Sequence, residues 1–139
     1  MLDTSKLFSL QGRVALVTGG SRNLGKTIAK AYIAQGATVY ISARKVADCE
    51  ATAEELGPNC HSLPQDVGSV EGVRALAQAF ADREQRLDIL VNNAGAAWGA
   101  PFEEFPEAGW DKVMDLNLKS PFFLIQALHG HLKASGADG

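Results

Sequence analysis

The sequence predicts an α/β domain with a parallel sheet, because short apolar segments alternate along it with helix-length segments. Strands separated in this way by helices form βαβ units, whose strands run parallel. The first apolar segment also leads directly into a glycine-rich turn and a further helix, which is the arrangement of a phosphate-binding turn. At 139 residues the chain is long enough for one domain. We therefore predict one domain over residues 1–139, with strands near residues 13–17, 38–42, 60–63 and 88–92.

Three helices between these strands can be located from the residues at their ends. Gly36 follows the first helix, at the position where a glycine in a left-handed conformation commonly ends a helix. The second helix stops before Pro58, since proline cannot continue a helix, and the third begins after Ser69, a favourable N-cap. The predicted helices span residues 24–35, 46–56 and 70–82.

Residues 106–133 predict two consecutive helices, of which the second is apolar around nearly its whole circumference. A helix with apolar residues on all sides is buried on more than one side. We therefore expect a homo-oligomer, with one face of the helix from Leu116 to Leu132 on the sheet and another on a second subunit. Residues 135–139 have the composition of a loop, and we expect the chain to stop just before another strand.

Composition excludes several classes of partner and favours a small molecule. The net charge is −3 and the basic residues are scattered, so the sequence predicts no surface for nucleic acid or an anionic membrane. Residues 1–12 have no apolar core typical of a signal peptide and no 18-residue apolar stretch occurs, so we expect a soluble cytoplasmic protein. Cys49 and Cys60 lack metal-site spacing and are expected to be small apolar residues in a reducing compartment. The three histidines, His61, His129 and His131, predict no metal site either.

The glycine-rich turn matches two motifs at once. Residues 20–27 satisfy the P-loop pattern GxxxxGK[ST], in which Lys26 would bind phosphates and Thr27 would hold Mg²⁺. Read from Thr18, the turn approximates the dinucleotide-binding pattern TGxxxGxG. A P-loop protein needs an acidic metal partner at the end of a later strand, but residues 88–92 lead into asparagines. The dinucleotide motif is therefore favoured, and a P-loop NTPase (Gly20 to Thr27) stays an alternative.

Three further segments match what a dinucleotide-binding turn requires downstream. Ala-Arg-Lys follows the second strand at 43–45, Asp-Val the third at 66–67 and Asn-Asn-Ala-Gly the fourth at 92–95. With these segments the chain resembles the short-chain dehydrogenase/reductase family from about residue 7 to residue 139. The resemblance implies the N-terminal half of a Rossmann-type doubly wound sheet, with strand order 3-2-1-4. It also implies an NADP-dependent oxidoreductase that transfers hydride between NADPH and a carbonyl.

The residues after the second strand indicate which cofactor is preferred. NAD-binding relatives have an acidic residue at the position of Ala43, whereas here Arg44 follows, and its guanidinium can bind a 2′-phosphate. Arg22 in the glycine turn can approach the same phosphate, so NADP(H) is favoured over NAD(H). Asn23 departs from the family pattern, which has glycine there, and its Cβ is expected to weaken cofactor binding.

The resemblance implies a set of cofactor-binding residues. Asp66 and the Val67 backbone are expected to contact the adenine, and residues 93–95 to line the path of the ribose and nicotinamide. The full set is Gly19, Ser21, Arg22, Asn23, Leu24, Arg44, Lys45, Asp66, Val67, Asn93, Ala94 and Gly95.

Of the family's catalytic residues, one is identified in this chain. The proton donor of the family is a tyrosine in Tyr-x-x-x-Lys, but neither Tyr32 nor Tyr40, the only tyrosines, has a lysine four residues later. Asn117 matches the family's active-site asparagine, and Pro121, which has no N–H, leaves the Asn117 carbonyl free for a water. We expect the chain to end before its Tyr/Lys pair and to be inactive by itself.

Two tryptophans bear on the substrate. Trp98, followed by Gly99, and Trp110 are similar to residues of bacterial 3-oxoacyl-acyl carrier protein reductases, including those of the rhamnolipid pathway. This resemblance implies a small-molecule carbonyl or acyl thioester substrate. A nucleotide-binding or interaction module without catalysis stays a second alternative.

Overall fold

The four apolar segments form one parallel sheet in a computed structural model that describes residues 4–136. The strand order is β3-β2-β1-β4, and every neighbouring pair is parallel. The predicted fold class and strand order are therefore confirmed, whereas part of the predicted loop, residues 137–139, lies outside the described residues. The strands are β1 (Val14–Thr18), β2 (Thr38–Ser42), β3 (Cys60–Ser62) and β4 (Ile89–Val91).

The helices begin and end where local signals predict. Gly36 has a φ of +96° after the first predicted helix, and the Ser69 hydroxyl accepts the N–H of Gly72 at 3.1 Å. A short helix at Thr4–Leu7 and a 3-10 turn at Phe102–Glu104 were not predicted. The helices are α1 (Thr4–Leu7), α2 (Asn23–Ala34), α3 (Val46–Leu56), α4 (Val70–Ala81), α5 (Glu107–Met114) and α6 (Ser120–Gly136).

Helices α5 and α6 are joined without a break by a π-helical turn at Asp115–Lys119. The N–H of Ser120 donates to the carbonyl of Asp115, five residues earlier. Pro121 has no N–H, so the ordinary α-helical bond to Asn117 cannot form, and the wider turn lets the helix continue. The predicted pair of helices is therefore one long helix, which continues through Ser135 and Gly136, where a loop was expected.

Helices cover both faces of the sheet and form two apolar layers. Helices α2 and α3 pack on one face, where Ala29 and Cys49 belong to the same buried apolar cluster as Val17 and Ile41. Helices α4 and α6 pack on the other face, where the core includes Phe80, Leu124 and Leu128. This coverage explains why β1 is buried along its whole length and is apolar from Val14 to Val17, since both of its faces are covered.

Helix α6 buries only one of its apolar faces within the described chain. Leu124 and Leu128 are fully buried, whereas Phe122 and Ile125 are 61% and 45% exposed. Strand β4 lies at an edge of the sheet and is half-buried. Association through α6 stays a prediction. None of the helices within residues 4–136 combines the length and the apolar character needed to cross a bilayer.

A buried carboxylate, Asp88, ties the amino ends of β1 and β4 to the last turn of α6. Its side chain is 3% exposed and accepts hydrogen bonds from the Val14 N–H at 2.7 Å and the Ser135 hydroxyl at 2.6 Å. The guanidiniums of Arg13 and Arg86 lie 3.0 and 3.6 Å away. Burial alone would raise the pKa of Asp88, but these hydrogen bonds and charges outweigh it and lower that pKa.

Candidate cofactor-binding site

A cleft of about 440 Å³ lies at the carboxyl end of the sheet, beside the glycine turn. Ligand sites of doubly wound folds occur there, where the crossover direction reverses between β1 and β4. All twelve residues predicted to bind a cofactor line this cleft. Several other residues that line the cleft were not predicted from the sequence, including Ser42, Asp48, Gln65, Ala96 and Lys112.

The glycine turn brings the backbone of β1, α2 and the end of β4 into close contact. A Cβ added at Gly25 would collide with the Gly19 carbonyl oxygen and lie 2.6 Å from Asn93 Nδ2. Gly19 has a φ of +64°. Only residues without a side chain fit this approach, which leaves the N-terminus of α2 open to the cleft.

Asn23, at the first position of α2, is the one non-glycine residue with positive φ among residues 4–136, with a φ of +48°. Asparagine tolerates this left-handed region, but its Cβ occupies space that glycine would leave free. Asn23 lines the cleft beside Arg22 and Leu24.

We expect Asn23→Gly to tighten NADPH binding by about three- to tenfold, because glycine adopts this φ freely and removes the Cβ from the turn. Isothermal titration of the variant against the unchanged chain measures the effect. Asn59→Gly, in the turn before β3 and outside the cleft, is the matched control. Unchanged affinity in Asn23→Gly would refute the steric explanation.

Thr18 and Asn93 join the ends of β1 and β4. The Thr18 hydroxyl accepts the N–H groups of Asn93 and Ala94 at 3.1 and 3.0 Å. The Asn93 side-chain amide donates to the carbonyls of Thr18 and Gly19 at 3.0 and 3.2 Å. Asn93 lines the cleft as expected, but its amide hydrogens already have partners in the fold. Asn93 therefore holds the ends of β1 and β4 together, and in this way it shapes the cleft.

Three cations line the part of the cleft that follows the ends of β1 and β2, which we call the cationic corner. Arg22 comes from the glycine turn, and Arg44 and Lys45 come from the segment between β2 and α3. Neither arginine has an ion-pair partner among the described residues. Lys45 Nζ lies 4.0 Å from Asp48 Oδ2, and both of these side chains are exposed, so the pair is weak. The corner therefore presents unpaired positive charge to a ligand.

Ser42, the last residue of β2, contributes a buried hydroxyl without a partner. Its Oγ is the only buried side-chain polar atom without a hydrogen bond among the residues that the structure describes. Such orphaned groups are rare in folded proteins, because each one costs free energy. Since Ser42 lines the cleft, its hydroxyl is a candidate hydrogen-bonding group for a ligand or a water.

Asn117 lies in the π-helical turn and binds the loop that follows β4. Its side-chain oxygen accepts the Ala96 N–H, and its amide donates to the Ala96 carbonyl, both at 2.8 Å. Both ends of the side-chain amide therefore bond to Ala96 and hold the loop at residues 95–97. The main-chain carbonyl of Asn117 is the group that Pro121 leaves without a helical donor.

The two tryptophans that suggested a substrate class occupy different places. The Trp98 ring packs against Gly109 of α5, and the Lys112 ammonium lies 5.6 Å from the ring centroid. Lys112 and Ala97 line the cleft, whereas Trp98 itself does not. Trp110 is 60% exposed on the outer side of α5.

Tyr40 is not available as a proton donor in the cleft. It lies within β2, and its hydroxyl donates to Glu84 Oε1 at 2.8 Å. Burial, followed by the hydrogen bond and charge of Glu84, raises the pKa of Tyr40 to about 12. The sequence lacks a Tyr-x-x-x-Lys motif, and Tyr40 does not replace the tyrosine of that motif.

The two residues central to the P-loop alternative have other contacts. Lys26 Nζ lies 2.6 Å from Glu55 Oε2 of α3, and the Thr27 hydroxyl donates to the Asn23 carbonyl at 3.1 Å. Neither residue lines the cleft. This arrangement gives no support to phosphate and Mg²⁺ binding by Lys26 and Thr27.

Cys49 and Cys60 are buried free thiols in the layer between the sheet and α3. Burial raises the pKa of both thiols, that of Cys60 to about 11, which makes them unreactive. Within residues 4–136, no three His, Cys, Asp or Glu side chains lie close enough together to hold a metal ion.

Comparison with known proteins identifies the family. The profile of the short chain dehydrogenase family matches residues 13–139. This chain belongs to the short-chain dehydrogenase family. The glycine turn, the cleft and the Asn117 contact are therefore features of a short-chain dehydrogenase fold.

The relatives of this short-chain dehydrogenase chain include reductases of different substrates. It is 49% identical over 132 residues to the rhamnolipids biosynthesis 3-oxoacyl-[acyl-carrier-protein] reductase of Pseudomonas aeruginosa, covering 94% of this chain and 52% of the relative. The solved RhlG/NADP active-site complex of P. aeruginosa matches with a TM-score of 0.88 and 50% identity, over 92% of this chain and 51% of that one.

A more distant structure has the same fold. L-sorbose reductase of Gluconobacter frateurii, solved with NADPH and L-sorbose, matches with a TM-score of 0.88 and 28% identity, over 93% of this chain and 51% of that one. The chain thus spans about half the length of the relatives that it matches.

Proposed function

We propose that this chain forms the NADP(H)-binding part of a short-chain reductase, with residues 1–139 acting as one NAD(P)-binding domain. The observation that carries the proposal is the corner of the cleft where Arg22 and Arg44 lack ion-pair partners within the described residues. A guanidinium binds a phosphate through two parallel hydrogen bonds, which suits the 2′-phosphate that distinguishes NADP(H) from NAD(H). The NADP complex of the P. aeruginosa relative supports the same cofactor.

The cleft residues fit NADP(H) in their chemistry. The glycine turn and the N-terminus of α2 would hold the pyrophosphate, and Asp66 and Val67 the adenine. The Ser42 hydroxyl has no hydrogen-bond partner among the described residues, so it is a further polar group that could bind the cofactor. When bound, the cofactor supplies or accepts the hydride, while Asn117 positions the loop at residues 95–97 that lines the cleft.

For the substrate, we propose a carbonyl compound of the 3-oxoacyl thioester class. Support comes from the 49% identity to the P. aeruginosa reductase. Carbonyl reduction also requires a proton donor, and Tyr40 is bound to Glu84 with its pKa raised to about 12. The 139 residues are therefore proposed to bind the cofactor without catalysing turnover by themselves.

We expect the chain to bind NADPH and to show no steady oxidation of it after addition of a 3-oxoacyl thioester. Calorimetry measures the binding, and the NADPH absorbance measures turnover. Lack of NADPH binding would contradict the proposed cofactor, and steady oxidation would contradict the proposed inactivity. Mg²⁺-dependent binding of ATP in place of NADPH would favour the P-loop alternative.

A further inference from the structure

One polar face of α3 connects the cationic corner of the cleft to the glycine turn. Lys45, Asp48, Thr52 and Glu55 are spaced by three, four and three residues, which places them along one side of the helix. Lys45 and Asp48 line the cleft. Glu55 pairs with Lys26 in the first turns of α2, and Thr52 contacts the glycine turn itself.

The Thr52 hydroxyl donates to the carbonyl of Ser21 at 2.9 Å, and Thr52 is only 5% exposed. The Ser21 carbonyl and the Arg22 N–H belong to one planar peptide unit. A hydrogen bond to that carbonyl therefore fixes the orientation of the peptide from which Arg22 continues. The exposed Arg22 side chain has no ion-pair partner among residues 4–136, so the direction in which it leaves the turn is set by this backbone.

We propose that Thr52 is a positioning residue for the 2′-phosphate site, because its hydroxyl places Arg22 opposite Arg44. This inference rests on the proposed NADP(H) function. Arg44 and Lys45 lead directly into α3, so the helix that follows these cations also holds the peptide before Arg22. The backbone positions from which both arginine side chains extend are thereby tied to α3, and groups that are positioned in advance lose less conformational entropy when they bind a phosphate.

Thr52→Val tests the hydrogen bond while retaining a side chain of similar shape. The variant leaves the Ser21 carbonyl without its donor, so we expect the dissociation constant for NADPH to rise about tenfold. NADH lacks the 2′-phosphate but shares the pyrophosphate that the same turn would hold, so its dissociation constant is expected to rise by a smaller factor of about two to three. Titration calorimetry with each cofactor measures the two changes.

Three further variants show whether the effect acts through Arg22. Thr52→Ser retains the hydroxyl and is expected to restore the NADPH preference. Thr38→Val removes a hydroxyl at the opposite end of the sheet and is expected to change neither affinity. In an Arg22→Gln background, Thr52→Val is expected to cause no further loss of NADPH preference, because the side chain through which it acts is gone.

A measurement without cofactor keeps this test separate from that of the proposed function. Backbone NMR order parameters of residues 21–24 are expected to fall from about 0.85 towards about 0.6 in Thr52→Val and to stay high in Thr52→Ser. An unchanged turn, or equal losses of NADPH and NADH affinity, would overturn the role of Thr52. If the unchanged chain fails to bind NADPH, the cofactor assignment fails, whereas the order parameters still report on the turn.

Discussion

Arg44→Asp is expected to weaken NADPH binding by about a hundredfold and to leave NADH binding unchanged or slightly tighter. The substitution removes a guanidinium that has no ion-pair partner within residues 4–136 and places a carboxylate where the 2′-phosphate would bind. That carboxylate repels the phosphate but can accept hydrogen bonds from the ribose hydroxyls of NADH. Calorimetric titration with both cofactors at low ionic strength measures the change in preference, since salt screens exposed charges.

The control for Arg44→Asp is Arg74→Asp, which changes the net charge equally. Arg74 lies on the exposed side of α4 and does not line the cleft. We expect this variant to retain the NADPH affinity of the unchanged chain to within about twofold. If Arg44→Asp weakens both cofactors equally, Arg44 does not contact a 2′-phosphate and the preference must have another origin.

Asp88→Ala is expected to lower the free energy of unfolding by about 3 kcal/mol at neutral pH. The substitution leaves the Val14 N–H and the Ser135 hydroxyl without their acceptor, and Arg13 and Arg86 without their shared carboxylate. Urea unfolding followed by circular dichroism measures the loss. Asp111→Ala, on the exposed side of α5, is the control and should change stability by less than about 0.5 kcal/mol.

The contribution of Asp88 is expected to depend on pH in a definite direction. Its pKa is lowered in the folded chain, so the stabilisation is complete above the unfolded value of about 4 and is lost as the pH falls through the folded value. The difference in stability between the unchanged chain and Asp88→Ala should therefore narrow only in acid. A difference that stays constant down to pH values well below about 3 would show that the Asp88 charge contributes little.

Most of the architecture could be predicted because its signals are local. The end of α2 at Gly36, the start of α4 after Ser69 and the bounds of α3 each depend on a few neighbouring residues. The same holds for the lining of the cleft, since the carboxyl ends of parallel strands meet at one edge of the sheet. The fold thus brings together residues whose predicted role in cofactor binding rests on their position after each strand.

The features that could not be predicted depend on contacts between distant residues or on small energy differences. Asp88 and Ser135 are separated by 47 residues, and Thr52 and Ser21 by 31, so no local pattern marks either hydrogen bond. Pro121 indicates that one helical bond is missing, but not whether the helix breaks or widens. Here it widens into the π-helical turn that carries Asn117.

Asp88 and the cationic corner lie at opposite ends of the sheet, and this separation affects how such a chain can evolve. The side chains that hold the sheet together at its amino end are saturated with partners, whereas Arg22 and Arg44 at the carboxyl end have no ion pair with another described residue. Replacing either arginine therefore breaks no ion pair within residues 4–136. A lineage could thus exchange one dinucleotide for another by single substitutions, without first acquiring compensating stability elsewhere.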